Sequence, residues 1–262
     1  SNAQADPLIG DAPSVQSLDL RSVLVAPFTV EPELRGVVYV DHRLRQDAFD
    51  GQSERLLGLL ADQAALAIEN ARLFKADRQR ERMDQELRIA SQIQKKLLPR
   101  ELPSIPGLDA CGSMHAAKEV GGDYYDFVPT ADGRGLFVAI GDVSGKGVPA
   151  GLVMASARSA MRTLIERTDS TREIVLSLNR LLVEDLDQEM FLSFVLMRFD
   201  AQSGRIDYTG AGHEHIVIWR EATKTVETRR TGGMVLGLSR DMDKEFKEES
   251  LTLALGDAVL LY

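Results

Sequence analysis

The chain has 262 residues, 44% of them hydrophobic, and 31 Lys and Arg set against 40 Asp and Glu leave a formal net charge of −9. This length allows one large domain or two smaller ones, and the acidic balance, with a pI near 5.1, gives a nucleic-acid role little electrostatic support. Cys111 is the single cysteine, so no internal disulfide forms and a reducing cytoplasmic location is expected; no apolar run reaches the roughly 18 residues that a membrane span needs.

Residues 1–3 read as an expression remnant and carry no fold argument. Residues 23–30 and 35–41 are runs of β-branched side chains separated by Glu31-Pro32-Glu33, which predicts two neighbouring strands. Asp50-Gly51-Gln52-Ser53 opens a long helical pattern with Asp50 or Ser53 as the N-cap. Apolar residues at 60, 64, 67, 71 and 74 follow a 4-3-4-3 spacing that fits a coiled-coil seam. Residues 75–86 are then dominated by charge, and a second seam resumes in another phase at Met83, Leu87, Ala90, Ile93 and Leu97. One reading is a solvated helix with scattered ion pairs; the other is a linker that dimerises in parallel over about Leu56 to Leu97. The rival to dimerisation packs the first stripe on the two strands and the second on the domain that follows.

Pro99, Pro103, Pro106 and Gly107 end the helix. Strands are predicted near 108–115, 123–128, 135–142, 190–199, 205–209, 215–220, 225–230, 246–253 and 258–262. Helices are predicted near 148–167, with Pro149 tolerated at the start, and near 171–185, with Ile174, Leu178, Leu181 and Leu182 on one face. Many antiparallel strands with an inserted helical pair give an α+β sandwich.

Two acidic-glycine motifs stand out within this region. One is Val120-Gly121-Gly122-Asp123-Tyr124-Tyr125-Asp126-Phe127; the other, Gly141-Asp142-Val143-Ser144-Gly145-Lys146-Gly147, follows the apolar run 136–140. A carboxylate at a strand end beside flexible backbone suits a hard divalent cation, and two such carboxylates face to face suit a metal pair that activates water against a phosphate ester. A single Asp-Gly pair more simply makes a turn. The glycine loop is not a nucleotide-binding loop, because three residues rather than four separate Gly141 from Gly145 and no Ser or Thr follows Lys146. Its glycines instead allow close backbone approach and a turn into the next helix. Asp126 is open between supporting the site and capping the loop. His213 and His215 read as structural, since a hard-cation site prefers oxygen.

In order along the chain, the two motifs are preceded by Ile93-Gln94-Lys95-Lys96-Leu97-Leu98-Pro99. They are followed by Phe191-Leu192-Ser193-Phe194, Tyr208-Thr209-Gly210-Ala211-Gly212-His213, Gly232-Gly233-Met234-Val235-Leu236-Gly237 and Gly256-Asp257-Ala258-Val259-Leu260-Leu261-Tyr262. Over roughly Leu87 to Tyr262 this set resembles the metal-dependent protein phosphatase (PPM) superfamily in its bacterial SpoIIE/RsbU-like branch. The resemblance implies two packed β-sheets flanked by helices. It further implies that Asp123 and Asp142 are catalytic residues holding two Mg²⁺ or Mn²⁺ ions, with the Val143 carbonyl as a further ligand. A water activated by both metals would attack phosphorus in line and expel the seryl or threonyl oxygen. Lys118 stands where animal members carry a phosphate-gripping Arg; it offers a point charge without bidentate geometry, and a solvated lysine is the alternative. Glu214 departs from the Asn common in the family.

Arg21-Ser22-Val23-Leu24-Val25-Ala26-Pro27, Gly36-Val37-Val38-Tyr39-Val40-Asp41 and Gln63-Ala64-Ala65-Leu66-Ala67-Ile68-Glu69-Asn70-Ala71 resemble the C-terminal half of a GAF domain. Two strands and one helix do not enclose a ligand pocket. The expected division is a partial GAF-like sensor at 4–50, a helical linker at 51–99 and a C-terminally incomplete phosphatase core at 100–262. The implied activity is phosphoserine/phosphothreonine protein phosphatase in bacterial signalling, with a STAS-type anti-sigma-factor antagonist as substrate. In the family the strand ending in Leu-Leu-Tyr is followed by a Thr-Asp-Gly whose Asp is a metal ligand. The chain as given is therefore expected to bind metal poorly and to be catalytically impaired. The rival is a non-catalytic module that binds a partner and transmits a sensor state.

Overall fold

The computed structural model describes residues 3–262 apart from 6, 9–10, 31–32, 100, 115–119 and 187–188. The chain forms two compact units, Ser1–Met83 and Asp84–Tyr262.

The first unit contains α1 (Pro13–Ser17), β1 (Ser22–Val30), β2 (Glu33–His42) and the greater part of α2 (Gly51–Leu97). β1 and β2 pair antiparallel from Ser22 opposite His42 to Val30 opposite Glu33, with a register shift between Phe28 and Thr29. Asp50 is the N-cap of α2: its Oδ1 accepts from the Ser53 backbone N–H at 2.8 Å, which satisfies one donor of the first turn. Leu57 and Ala61 are buried with Ala26, against half-buried Leu24, Phe28, Val38 and Val40. The helix face on the strands is therefore 57/61/65, an i, i+4 row whose two alanines allow close approach. This counts against the rival to dimerisation, in which the first stripe covers the strands, because Leu60 is 56% and Phe74 63% exposed.

The second unit contains β3 (Tyr124–Pro129), β4 (Gly135–Val143), α3 (Val148–Ile165), α4 (Thr171–Asp185), β5 (Leu192–Asp200), β6 (Arg205–Ala211), β7 (Ile216–Arg220), β8 (Thr225–Arg229), β9 (Glu248–Thr252) and β10 (Ala258–Leu260). β3-β4-β5-β6-β9 form one sheet and β10-β7-β8 another, and every neighbouring pair is antiparallel. Strand alternation sends the two faces of the larger sheet to different cores. Phe137, Ala139 and Val143 of β4, with Leu192, Phe194 and Leu196 of β5, pack against Met154, Met161, Ile174 and Leu178 of the helices. Leu136 of β4 and Val195, Met197 and Phe199 of β5 pack against Ile216 and Ile218 of β7. Helices, a five-stranded sheet and a three-stranded sheet thus form successive layers, which bears out the α+β sandwich.

The strand predicted at 108–115 does not form among the described residues. Leu108 makes a single bridge to Ile105, and the carbonyl of Gly112 accepts from the Tyr125 hydroxyl at 3.2 Å. A Cβ on Gly112 would sit 2.6 Å from the Tyr125 ring, so this segment lies flat on an aromatic side chain instead of joining a ladder. Among the described residues no helix is long and apolar enough to cross a membrane.

Candidate functional site

Register places the two aspartates. β3 pairs with β4 from Tyr124 opposite Gly141 to Pro129 opposite Leu136, so the next pair outward is Asp123 and Asp142. The Val143 N–H donates to the Gly122 carbonyl at 3.3 Å one step further on. Gly122 is required here: a Cβ would lie 2.5 Å from the Val143 carbonyl oxygen. The side chains of 136, 138, 140 and 142 alternate toward the smaller sheet, so Asp142 emerges on the face opposite the helices. Both aspartates line a cleft of about 1140 Å³ together with Tyr125, Ser193, His213 and Tyr262.

The carboxylates are coupled. Burial raises the Asp142 pKa above the usual carboxylate value, and the charge of Asp123 and a hydrogen bond between the two carboxyls push it the same way. Two hard oxygen donors that crowd negative charge are what a divalent cation neutralises, so the pair fits such an ion. Among the described residues no group of three or more His, Cys, Asp or Glu gathers as a metal site. Asp257, which also lines the cleft, is already engaged. Backbone N–H groups of Ala254 and Glu221 and the Arg220 guanidinium hold it, and its pKa falls to about 2.

The remaining motifs brace Asp142 from behind. Ser144 donates its N–H to the Phe191 carbonyl at 2.8 Å, and its Oγ accepts from the Phe191 N–H at 2.9 Å. Ser193 Oγ lies 3.4 Å from the Asp142 carbonyl and 2.9 Å from His213 Nδ1. The His213 carbonyl accepts from the Thr231 hydroxyl at 2.6 Å. Burial lowers the His213 pKa, which favours the neutral ring of a bracing residue. Gly210 meets the Thr231 backbone and Gly233 meets Gly210, so a side chain at either would collide with main chain. Gly145 and Gly147 have φ of 92° and 83° with open space around them. They supply the turn into α3, and the close approach belongs to Gly122.

Asp126 neither supports the carboxylate pair nor caps the loop. It faces the helices, fully buried, with Arg162 of α3 donating to both of its oxygens at 2.6 Å. Lys118 lies outside the described residues, and His215 is exposed. Sequence reasoning missed Gln94, which is buried and bonded to the backbone of Gly121. Its signal is a polar residue in the i, i+4, i+7 row of Ala90 and Leu97.

Residues 4–70 match the GAF domain model GAF_3. The chain is 32% identical over 177 residues to phosphoserine phosphatase RsbU of Bacillus subtilis, covering 68% of this chain and 52% of that protein. It is 27% identical over 204 residues to protein IcfG of Synechocystis sp., covering 68% of this chain and 32% of that protein. The chain thus spans about half and a third of these relatives. The SiaA-PP2C domain of Pseudomonas aeruginosa superposes with a TM-score of 0.57 at 21% identity, over 69% of this chain and 71% of that one, a likeness of fold. Residues 132–262, half of the sequence, match the model of stage II sporulation protein E, and the chain belongs to that SpoIIE family.

Proposed function

We propose that this chain carries the catalytic region of a metal-dependent phosphoserine/phosphothreonine protein phosphatase, preceded by a GAF-type unit and a helical linker. The observation that carries the reading is the Asp123–Asp142 carboxylate pair lining a cleft. Family membership and the identity to a phosphoserine phosphatase support it. Asp123 and Asp142 would hold Mg²⁺ or Mn²⁺ with the Val143 carbonyl. Bound there, such ions supply charge stabilisation for phosphoryl oxygens and an acidified water. Ser144, Ser193 and His213 keep Asp142 in place, and Lys118 is the proposed phosphate contact. The substrate we favour is a phosphorylated regulatory protein of the STAS type. A non-catalytic partner-binding module is the second reading, favoured by the absence of a third acidic ligand among the described residues.

The deciding experiment is hydrolysis of a phosphoserine peptide with Mn²⁺ or Mg²⁺, by this chain and by a form extended to carry a further acidic ligand. Two carboxylates under-compensate the cations' charge, so slower turnover is expected from the 262 residues than from a form with added acidic ligands. Full activity in excess chelator would overturn the metal role. Absence of turnover from both forms would favour the binding module.

The linker reading extends to assembly. Leu60, Phe74 and Ile93 are 56%, 63% and 56% exposed along α2, while the helix covers β1 and β2 with another face. A second copy of the helix, packed in parallel, would cover these seam positions. The expected result is a dimer by light scattering, converted to a folded monomer by Ala71→Glu or Ile93→Glu. A monomeric unmutated chain at tens of micromolar would refute the dimer.

A further inference from the structure

Three successive residues ahead of Asp123 are each fixed by a different element. Val120 is 4% exposed and packs on α3 so tightly that a Cβ at Gly151 would lie 2.4 Å from its Cγ1. Gly122 is seated against Val143 of β4. Between them, Gly121 is gripped from α2. The Gln94 side-chain amide donates to the Gly121 carbonyl at 2.6 Å, and its oxygen accepts from the Gly121 N–H at 3.1 Å. Gln94 itself is only 6% exposed, in the last turn of the helix, where its Nε2 lies within 3.3 Å of the Cβ position of Gly151.

The two bonds together replace a strand partner. Residues 120–123 precede β3 and have no ladder of their own at Gly121, so that peptide would otherwise leave a donor and an acceptor part-buried and unpaired. A primary amide is the one uncharged side chain that presents a donor and an acceptor side by side. Glu in its place would set a carboxylate against the Gly121 carbonyl; Met or Leu would satisfy neither group. Because Gly121 is two residues from Asp123 and glycine adds no stiffness of its own, the clamp determines where the Asp123 carboxylate meets Asp142.

We propose that Gln94 is a positioning residue for the Asp123–Asp142 pair, acting through the Gly121 backbone. Its effect on catalysis rests on the phosphatase reading; the clamp itself does not. Groups that orient metal ligands from behind typically change metal affinity or activity by about 10–100-fold when removed. Gln94→Met, which keeps the volume beside Gly151, and Gln94→Glu, which keeps the acceptor and a polar side chain, are the variants. Both are read on the whole chain by hydrogen–deuterium exchange, and in the active form of the protein by the Mn²⁺ dependence of phosphoserine-peptide turnover.

The expected result is exchange over residues 120–123 at least about 10-fold faster, with protection of β4 and β5 unchanged. The Mn²⁺ concentration for half-activation should rise about 10–100-fold, with KM for the peptide nearly unchanged. Unaltered exchange at 120–123 in a folded variant would overturn the clamp. Faster local exchange with an unshifted Mn²⁺ dependence would overturn the positioning role. If the unmutated protein shows no metal-dependent turnover, the phosphatase reading fails on its own, and exchange together with Mn²⁺ binding by calorimetry decides the inference. If Met disrupts folding, Glu carries the test.

Discussion

Asp126→Ala is expected to cost about 3 kcal/mol of folding free energy, seen as a lower urea midpoint at an unchanged denaturant slope. The Asp126 carboxylate is fully buried on the helix side of β3. It accepts from Arg162 Nε and Nη2 at 2.6 Å each, from the Tyr124 hydroxyl at 2.9 Å and from the Phe127 N–H at 2.9 Å, while Arg158 Nε stands 3.5 Å away. Removing the one anion leaves two guanidinium groups of α3 facing an apolar sheet, and an uncompensated charge costs more than the pair contributed. The figure belongs at the lower end of the roughly 3–5 kcal/mol range for such losses, because Arg162 keeps 39% of its side-chain surface in water. Arg162→Ala should be milder, since Asp126 then still meets Arg158, Tyr124 and Phe127. A loss from Asp126→Ala no larger than that from Arg162→Ala would show that the network is not organised around the carboxylate.

The same residue shows where sequence reading stops. Asp126 stands three positions after Asp123 in a motif whose glycines and acids all suggest chemistry, yet strand alternation turns it to the opposite face from Asp142. Its partners lie 32 and 36 positions away on α3, a spacing that no local pattern encodes. What local pattern does encode was legible. The two helices at 148–167 and 171–185 and the strands flanking them formed where apolar periodicity and turn residues put them, within a few residues. The meeting of Asp123 with Asp142 followed from two strand-end positions that register then brought opposite each other. The segment 108–115 failed because a short apolar run says nothing about whether a ladder partner is free. Gln94 was overlooked because a glutamine close to Gln92 and followed by Lys95 and Lys96 resembles a solvated face; only its place in the row of Leu87, Ala90 and Leu97 distinguishes it.

Asp142→Asn is expected to move stability and activity in opposite directions. The folded pKa of Asp142 lies above its ordinary value, through burial first and then the neighbouring charge of Asp123. A carboxyl of this kind contributes stability while protonated, below its unfolded pKa of about 3.9. That contribution is lost as pH rises through the raised folded pKa, and at neutral pH the ionised side chain is a net cost to the metal-free fold. Asn keeps the shape without the charge. In excess chelator the variant should therefore unfold at a higher temperature than the unmutated chain at pH 7, with the gap shrinking toward pH 4. Metal should reverse the order. An ion that binds only the folded state adds about 2.7 kcal/mol at 100 times its Kd, and the variant, lacking one of the two carboxylates, should gain little of this from Mn²⁺. Turnover of the active form should fall about 100-fold or more, since a bound cation supplies several kcal/mol of transition-state stabilisation at 1.36 kcal/mol per tenfold. A variant less stable than the unmutated chain in chelator would mean that the Asp142 carboxylate serves the fold. A variant that keeps its Mn²⁺-dependent stabilisation and turnover would place the metal elsewhere.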